Sequence, residues 1–182
     1  MTRPGERPLK PDRARLVLDA TPLIHLAKAG LLEAALGSFE VIMAEGVLEE
    51  VTRGEAHPDA VIIRGAADEG RIKAQRPRDG GVVRALMRHR EIHGGEAETM
   101  ALAAELGAAA VMDNGVARAV ARLHGVPTRP GTLYLLFRLV SLGMLSSADA
   151  EERLGRMVKS GLYLDSRTLI AAREKLRAPR AT

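Results

Sequence analysis

Apolar positions along this chain fall into two alternating rhythms. LVLD (16–19), FEVIMA (39–44) and AAAVMD (108–113) are short apolar runs of strand length, suited to burial on both faces. RIKAQ (71–75) and VPTRP (126–130) read as shorter strands. Between them lie stretches with helical spacing: TPLIHLAKAG, LLEAAL, EGVLEEVTRG, HPDAVIIRGAADEG, EAETMALAAELG (96–107) and NGVARAVARLHG (114–125). GTLYLLFRLVSLGML (131–145), SADAEERLGRMVKSG (147–161) and DSRTLIAAREKLRA add three more, the first two strongly amphipathic. Punctuation supports the pattern. Thr21 can cap with Pro22 at the first helical position, Asn114 can cap the helix after 113, and Gly30, Gly54, Gly70 and Gly107 sit at helix ends. The segment 76–95, rich in Gly and Pro, gives the weakest pattern, with a short helix between its glycines.

Strands alternating with helices predict an α/β fold, a three-layer α/β/α sandwich around a parallel sheet. The boundaries read as a basic, Pro-rich and disordered arm over 1–14, one domain over 15–172 and a basic tail over 173–182. At 182 residues and 46% apolar, the chain is long enough for one well-filled core.

Composition then removes whole classes of chemistry. With no cysteine, disulfides, thiolate zinc, Fe–S clusters and a cysteine nucleophile are excluded, so any metal must be held by oxygen or imidazole. No apolar run approaches the roughly 20 residues of a membrane span, and the Arg/Pro-rich start has no leader pattern. A soluble, cytoplasmic protein is expected. The net charge of +4 is unevenly spread: residues 1–15 carry +3 and 166–182 carry +4, and subtracting those seven leaves 16–165 at −3. Phe39, Tyr134, Phe137 and Tyr163 are the whole aromatic set, which argues against a single-strand binder built on a stacking platform.

Ligands of open α/β sheets bind beyond the carboxyl ends of the strands, and two strands here end in aspartate, Asp19 and Asp113. With Thr21 and Asn114 available as caps, neither acid has an evident structural task. Glu96 opens a helix directly after two glycines, while Glu98 points about 200° away and cannot share its site. Glu49 and Glu50 are adjacent on a surface-type helix. Clustered, such acids repel one another, a cost relieved by a hard divalent cation such as Mg²⁺ or Mn²⁺, which takes oxygen ligands. The five histidines, at 25, 57, 89, 93 and 124, show no zinc spacing, and His25 reads as a packed residue.

VLDATPLIHLAKAG, VLEEV, GGEAETMALAAELGAAAVMDNGVARAVARLHG, GTLYLL and SGLYLD, in that order, resemble the PIN-domain nucleases, in particular the VapC-like prokaryotic branch, over about residues 15–172. The resemblance implies a Rossmann-like fold and a Mg²⁺- or Mn²⁺-dependent endoribonuclease. By its motifs Asp19, Glu50, Glu96 and Asp113 are the catalytic acids. Asp19, Glu96 and Asp113 hold metal, with Asn114 as a further oxygen where the branch commonly has a second aspartate. Glu49 is the rival to Glu50. Thr21 and Arg118 are candidates for positioning substrate. RNA, a small antitoxin whose basic segment covers the acids, and a second copy of the chain in a homodimer are the implied partners. A catalytically idle PIN-like module that binds RNA or protein is the alternative, kept open by Asn114. A haloacid-dehalogenase-like phosphatase needs an aspartate where Thr21 stands, and no Gly-rich phosphate loop is present.

Overall fold

The structure is a computed structural model that describes residues 13–53 and 57–178. Most of the expected 1–14 arm, Gly54 and the last four residues lie outside the described residues. Five strands, β1 (Arg15–Leu18), β2 (Glu40–Ala44), β3 (Lys73–Gln75), β4 (Ala109–Val111) and β5 (Thr128–Arg129), form one sheet in the order β3-β2-β1-β4-β5. Every pairing is parallel, with Val17 beside Ile42 on one side and Ala110 on the other. Parallel strands require crossovers, and the helical segments between them supply these and cover both faces.

The chain fills the sheet outward from β1 through β2 to β3, then returns to add β4 on the opposite side of β1. The strand order therefore reverses between β1 and β4. That reversal opens a crevice at their carboxyl ends, the place where an open α/β sheet accepts a ligand. The Asp19 backbone N–H donates to the Val111 carbonyl at 3.1 Å, extending the β1–β4 pairing by one residue up to the crevice.

α1 (Ala20–Lys28) follows β1 directly, α2 (Leu32–Ser38) leads to β2, α3 (Glu45–Thr52) leaves β2, and α4 (Pro58–Asp68) leads to β3. α5 (Gly80–Leu86) is the short helix expected within 76–95, and Asp79 caps it. α6 (Gly94–Leu106) crosses β1, β2 and β4, burying Ala97, Met100, Ala101 and Leu102, and ends on Gly107 at φ 59°. α7 (Gly115–Leu123), α8 (Gly131–Ser141), α9 (Ser147–Lys159) and α10 (Ser166–Arg177) complete the chain. α10 buries Ala172 and Leu176. No described helix is long and apolar enough to cross a membrane.

Two local readings differ from the structure. α1 begins at Ala20, one residue before Thr21, and Asp19 occupies the cap position without making a capping hydrogen bond. The reason is that β1 ends at Leu18, leaving a single extended residue to turn the chain. α6 starts two residues before Glu96, so Gly94 and Gly95 belong to the helix and Glu96 falls on its third position.

Candidate active site

Asp19 sits at the floor of the crevice, 7% exposed, at the junction of β1 and α1. Its carboxyl is pushed up to about 7, first by burial and then by the charges of Glu96, Glu50 and Asp113, against a lowering from the Ala20 backbone N–H. The three acids that act on it are the three that the sequence singled out with it. They arrive from three separate elements, α6, α3 and the end of β4.

Glu96 is fixed at both oxygens. Oε2 accepts from the His93 backbone N–H at 3.1 Å, and Oε1 accepts from the Asn114 side-chain amide at 2.8 Å. Asp113 is held as firmly: Oδ1 accepts from the Thr132 backbone N–H at 2.9 Å and Oδ2 from the Thr132 hydroxyl at 2.6 Å. Thr132 is fully buried, and Gly131 before it is left-handed at φ 55°. A Cβ at Gly131 would lie 2.8 Å from the Asp113 Cα, so only glycine lets the start of α8 close over this acid. Thr132 and Gly131 escaped the reading of the residues because the sequence does not say that β5 adjoins β4. They stand in the GTLYLL motif without an assigned role.

Between the two rival glutamates the geometry distinguishes. Glu50 Oε2 lies 2.9 Å from where a Cβ at Gly95 would stand, and the same Cβ would be 4.0 Å from Asp19 Oδ1, so Gly95 lets α6 approach both acids. Glu49 instead lines a surface hollow with Leu48, Thr52, Arg53 and Arg64. Glu98 turns away from Glu96 to accept from the Gly46 backbone N–H at 3.0 Å.

Asn114 has both ends of its amide engaged. The nitrogen donates to Glu96, while the oxygen accepts from Val116 and Ala117 N–H groups and caps α7 as the sequence suggested. In this arrangement its oxygen faces the helix. Arg118 donates to the Met112 and Asp113 carbonyls at 2.7 and 2.8 Å and so braces the backbone beneath Asp113. Thr21 is half-buried on the first turn of α1. His25 is buried with Nδ1 lacking a protein partner, and burial holds its imidazole below the usual range.

Donor chemistry fits a hard cation: all-oxygen groups, one deeply buried and destabilised by its neighbours' charge. Among the described residues, however, no three acids or histidines close into a ready-made ligand cage. Mg²⁺ does not require one, because it keeps several waters and is commonly bound through one or two carboxylates.

A Rossmann-like α/β/α sandwich with four acids at the β1–β4 switch point defines a class of PIN-like proteins. The family model described as a PIN domain matches residues 15–177, and the chain belongs to that family. None of the curated proteins compared with the chain matches it.

Proposed function

We propose that the chain is a divalent-metal-dependent endoribonuclease that hydrolyses RNA phosphodiester bonds at the crevice between β1 and β4. The observation that carries this reading is the buried Asp19 carboxyl, raised to about 7 by burial and by the charges of Glu96, Glu50 and Asp113. A buried carboxyl surrounded by like charges destabilises the ion-free fold, and a bound cation would relieve that cost.

Asp19, Glu96 and Asp113 would hold the ion. Bound there, Mg²⁺ or Mn²⁺ supplies Lewis-acid neutralisation of phosphate charge and acidifies water. Asp19 provides the deepest oxygen, and the Asn114 and Thr132 hydrogen bonds fix Glu96 and Asp113 so that neither must reorganise on binding. Glu50, exposed at the rim, orients the attacking water and accepts its proton. The water oxygen would form a new P–O bond as the P–O bond to the leaving oxygen breaks, with the leaving oxygen taking a proton from solvent and Glu50 returning its proton to solvent.

Within this reading the protein acts in the cytoplasm as the toxin of a VapBC-type pair. A small antitoxin with a basic segment meets a complementary field, because residues 16–165 carry −3. The second reading, an idle PIN-like module that binds RNA or protein, is favoured by the Asn114–Glu96 hydrogen bond, which satisfies Glu96 without an ion.

Incubation of end-labelled single-stranded RNA with Mn²⁺ tests the proposal. Cleavage by the parent that stops with chelator and falls at least about 100-fold in Asp19→Asn is expected. Cleavage unaffected by both changes would remove it, and RNA bound but uncut by the parent would favour the idle module.

A further inference from the structure

We propose that the trough between α8 and α10 is a track for single-stranded RNA leading into the acidic crevice; this deepens the nuclease reading and rests on it. Two adjoining cavities of about 470 and 320 Å³ follow α8, sharing Leu133, Phe137 and Lys175. The first is lined from Pro130, the residue before Gly131 and the Asp113 it covers, to Ser141. Eleven residues of α8 span about 16 Å, enough for a few nucleotides beyond the cut site.

The lining has the two properties a single strand needs. Tyr134 and Phe137, one helical turn apart, are two of the four aromatic residues in the chain, and both face this trough. Each already carries a cation on its ring: Arg129 lies 5.7 Å from the Tyr134 centroid and Lys175 4.3 Å from that of Phe137. Arg138 and Arg167 complete the rims, and no acidic residue lines either cavity. Among the described residues none of these four cations forms an ion pair; Arg129 and Arg138 donate only to Thr128 O and Ser141 Oγ.

Cations outside ion pairs also occur elsewhere, Arg84 and Arg88 on α5 among them; what distinguishes the trough is that both cation–ring contacts among the described residues lie along it. A row of unpaired cations over aromatic faces is complementary to a polyanion whose bases can stack, and an incoming base can take the ring while the displaced cation moves to a phosphate. Duplex RNA keeps its bases stacked on each other and gains only the phosphate contacts. Composition alone argues against a stacking platform, and the proposal departs from that expectation because two of the four aromatic residues line the same trough.

Binding is measured by fluorescence anisotropy of labelled single-stranded RNA on the full chain carrying Asp19→Asn, with chelator, so that no cleavage intervenes. Adding Arg138→Glu and Lys175→Glu weakens binding about tenfold or more and lowers the salt slope by about 1.4, at about 0.7 per phosphate contact. Arg84→Glu with Arg88→Glu, the same charge change on α5, has less than a twofold effect. Tyr163→Phe leaves Tyr134 as the sole tyrosine in a chain without tryptophan, and its emission is quenched by single-stranded RNA more than by duplex. RNA that binds without quenching Tyr134, or equal losses from the trough and α5 reversals, overturns the track. If the trough reversals spare RNA binding but abolish self-association in sedimentation, the trough serves a protein partner and the proposal fails. Metal-dependent RNA cleavage by the parent chain, measured alongside, separates the two failures: cleavage that persists while the trough reversals leave binding unchanged removes the track alone, and its absence removes the nuclease reading.

Discussion

Asp19 is the residue whose behaviour follows most directly from its surroundings. A carboxyl near 3.8 in the unfolded chain and about 7 in the fold binds more protons folded than unfolded. Its contribution to stability is thus largest at low pH and is lost as pH rises from about 4 to about 7. In chelator, the parent's thermal midpoint should fall between pH 5 and pH 8 by more than that of Asp19→Asn, which has no proton to lose. Parallel midpoints in calorimetry would contradict the burial described. Thr132→Val tests the neighbouring acid: it leaves Asp113 Oδ2 without its hydroxyl, costs about 1–3 kcal/mol in denaturant unfolding and lowers the cleavage rate. Asp19, Glu96 and Asp113 were legible because strand ends and a helix-opening acid leave local marks, whereas Glu50, inside α3 beside Glu49, was singled out only by the family resemblance. Thr132 was not, because its partner is 19 residues away and only the β4–β5 pairing makes them neighbours.

At the scale of elements, α7 depends on one side chain for two tasks. Asn114→Ala removes its cap, worth about 1 kcal/mol, and also the donor to Glu96, so chemical denaturation should show a loss above that of an ordinary cap. Asn114→Asp keeps the cap but sets a second carboxylate against Glu96. It should lower the thermal midpoint in chelator and raise the gain on adding Mn²⁺ relative to the parent. Equal gains would mean that Asn114 has no influence on the cation site. The hydrophobic rhythm foretold the elements around the crevice well, since apolar runs and glycine stops are local. It misjudged their first residues, at α1 and α6, where the end of the preceding strand or the approach of Gly95 to Glu50 and Asp19 sets the start.

For the whole molecule, the sheet order is the property that converts scattered acids into a site. Nothing in the spacing of residues 19, 50, 96 and 113 requires them to meet. They meet because β4 returns beside β1 and α6 crosses both strands. The charge of the molecule follows the same geometry, with acids gathered in the crevice and unpaired cations along α8 and α10. RNA binding should therefore weaken with salt and, at the crevice, depend on metal. The choice of RNA complicates any cleavage assay, whereas cation binding needs no substrate. Calorimetric titration of Mn²⁺ into the RNA-free protein at pH 7.5 is consequently the most direct measurement. The parent should bind Mn²⁺ saturably, and Asp19→Asn should bind at least about tenfold more weakly; identical isotherms, or no binding by either, would contradict a cation site built on Asp19.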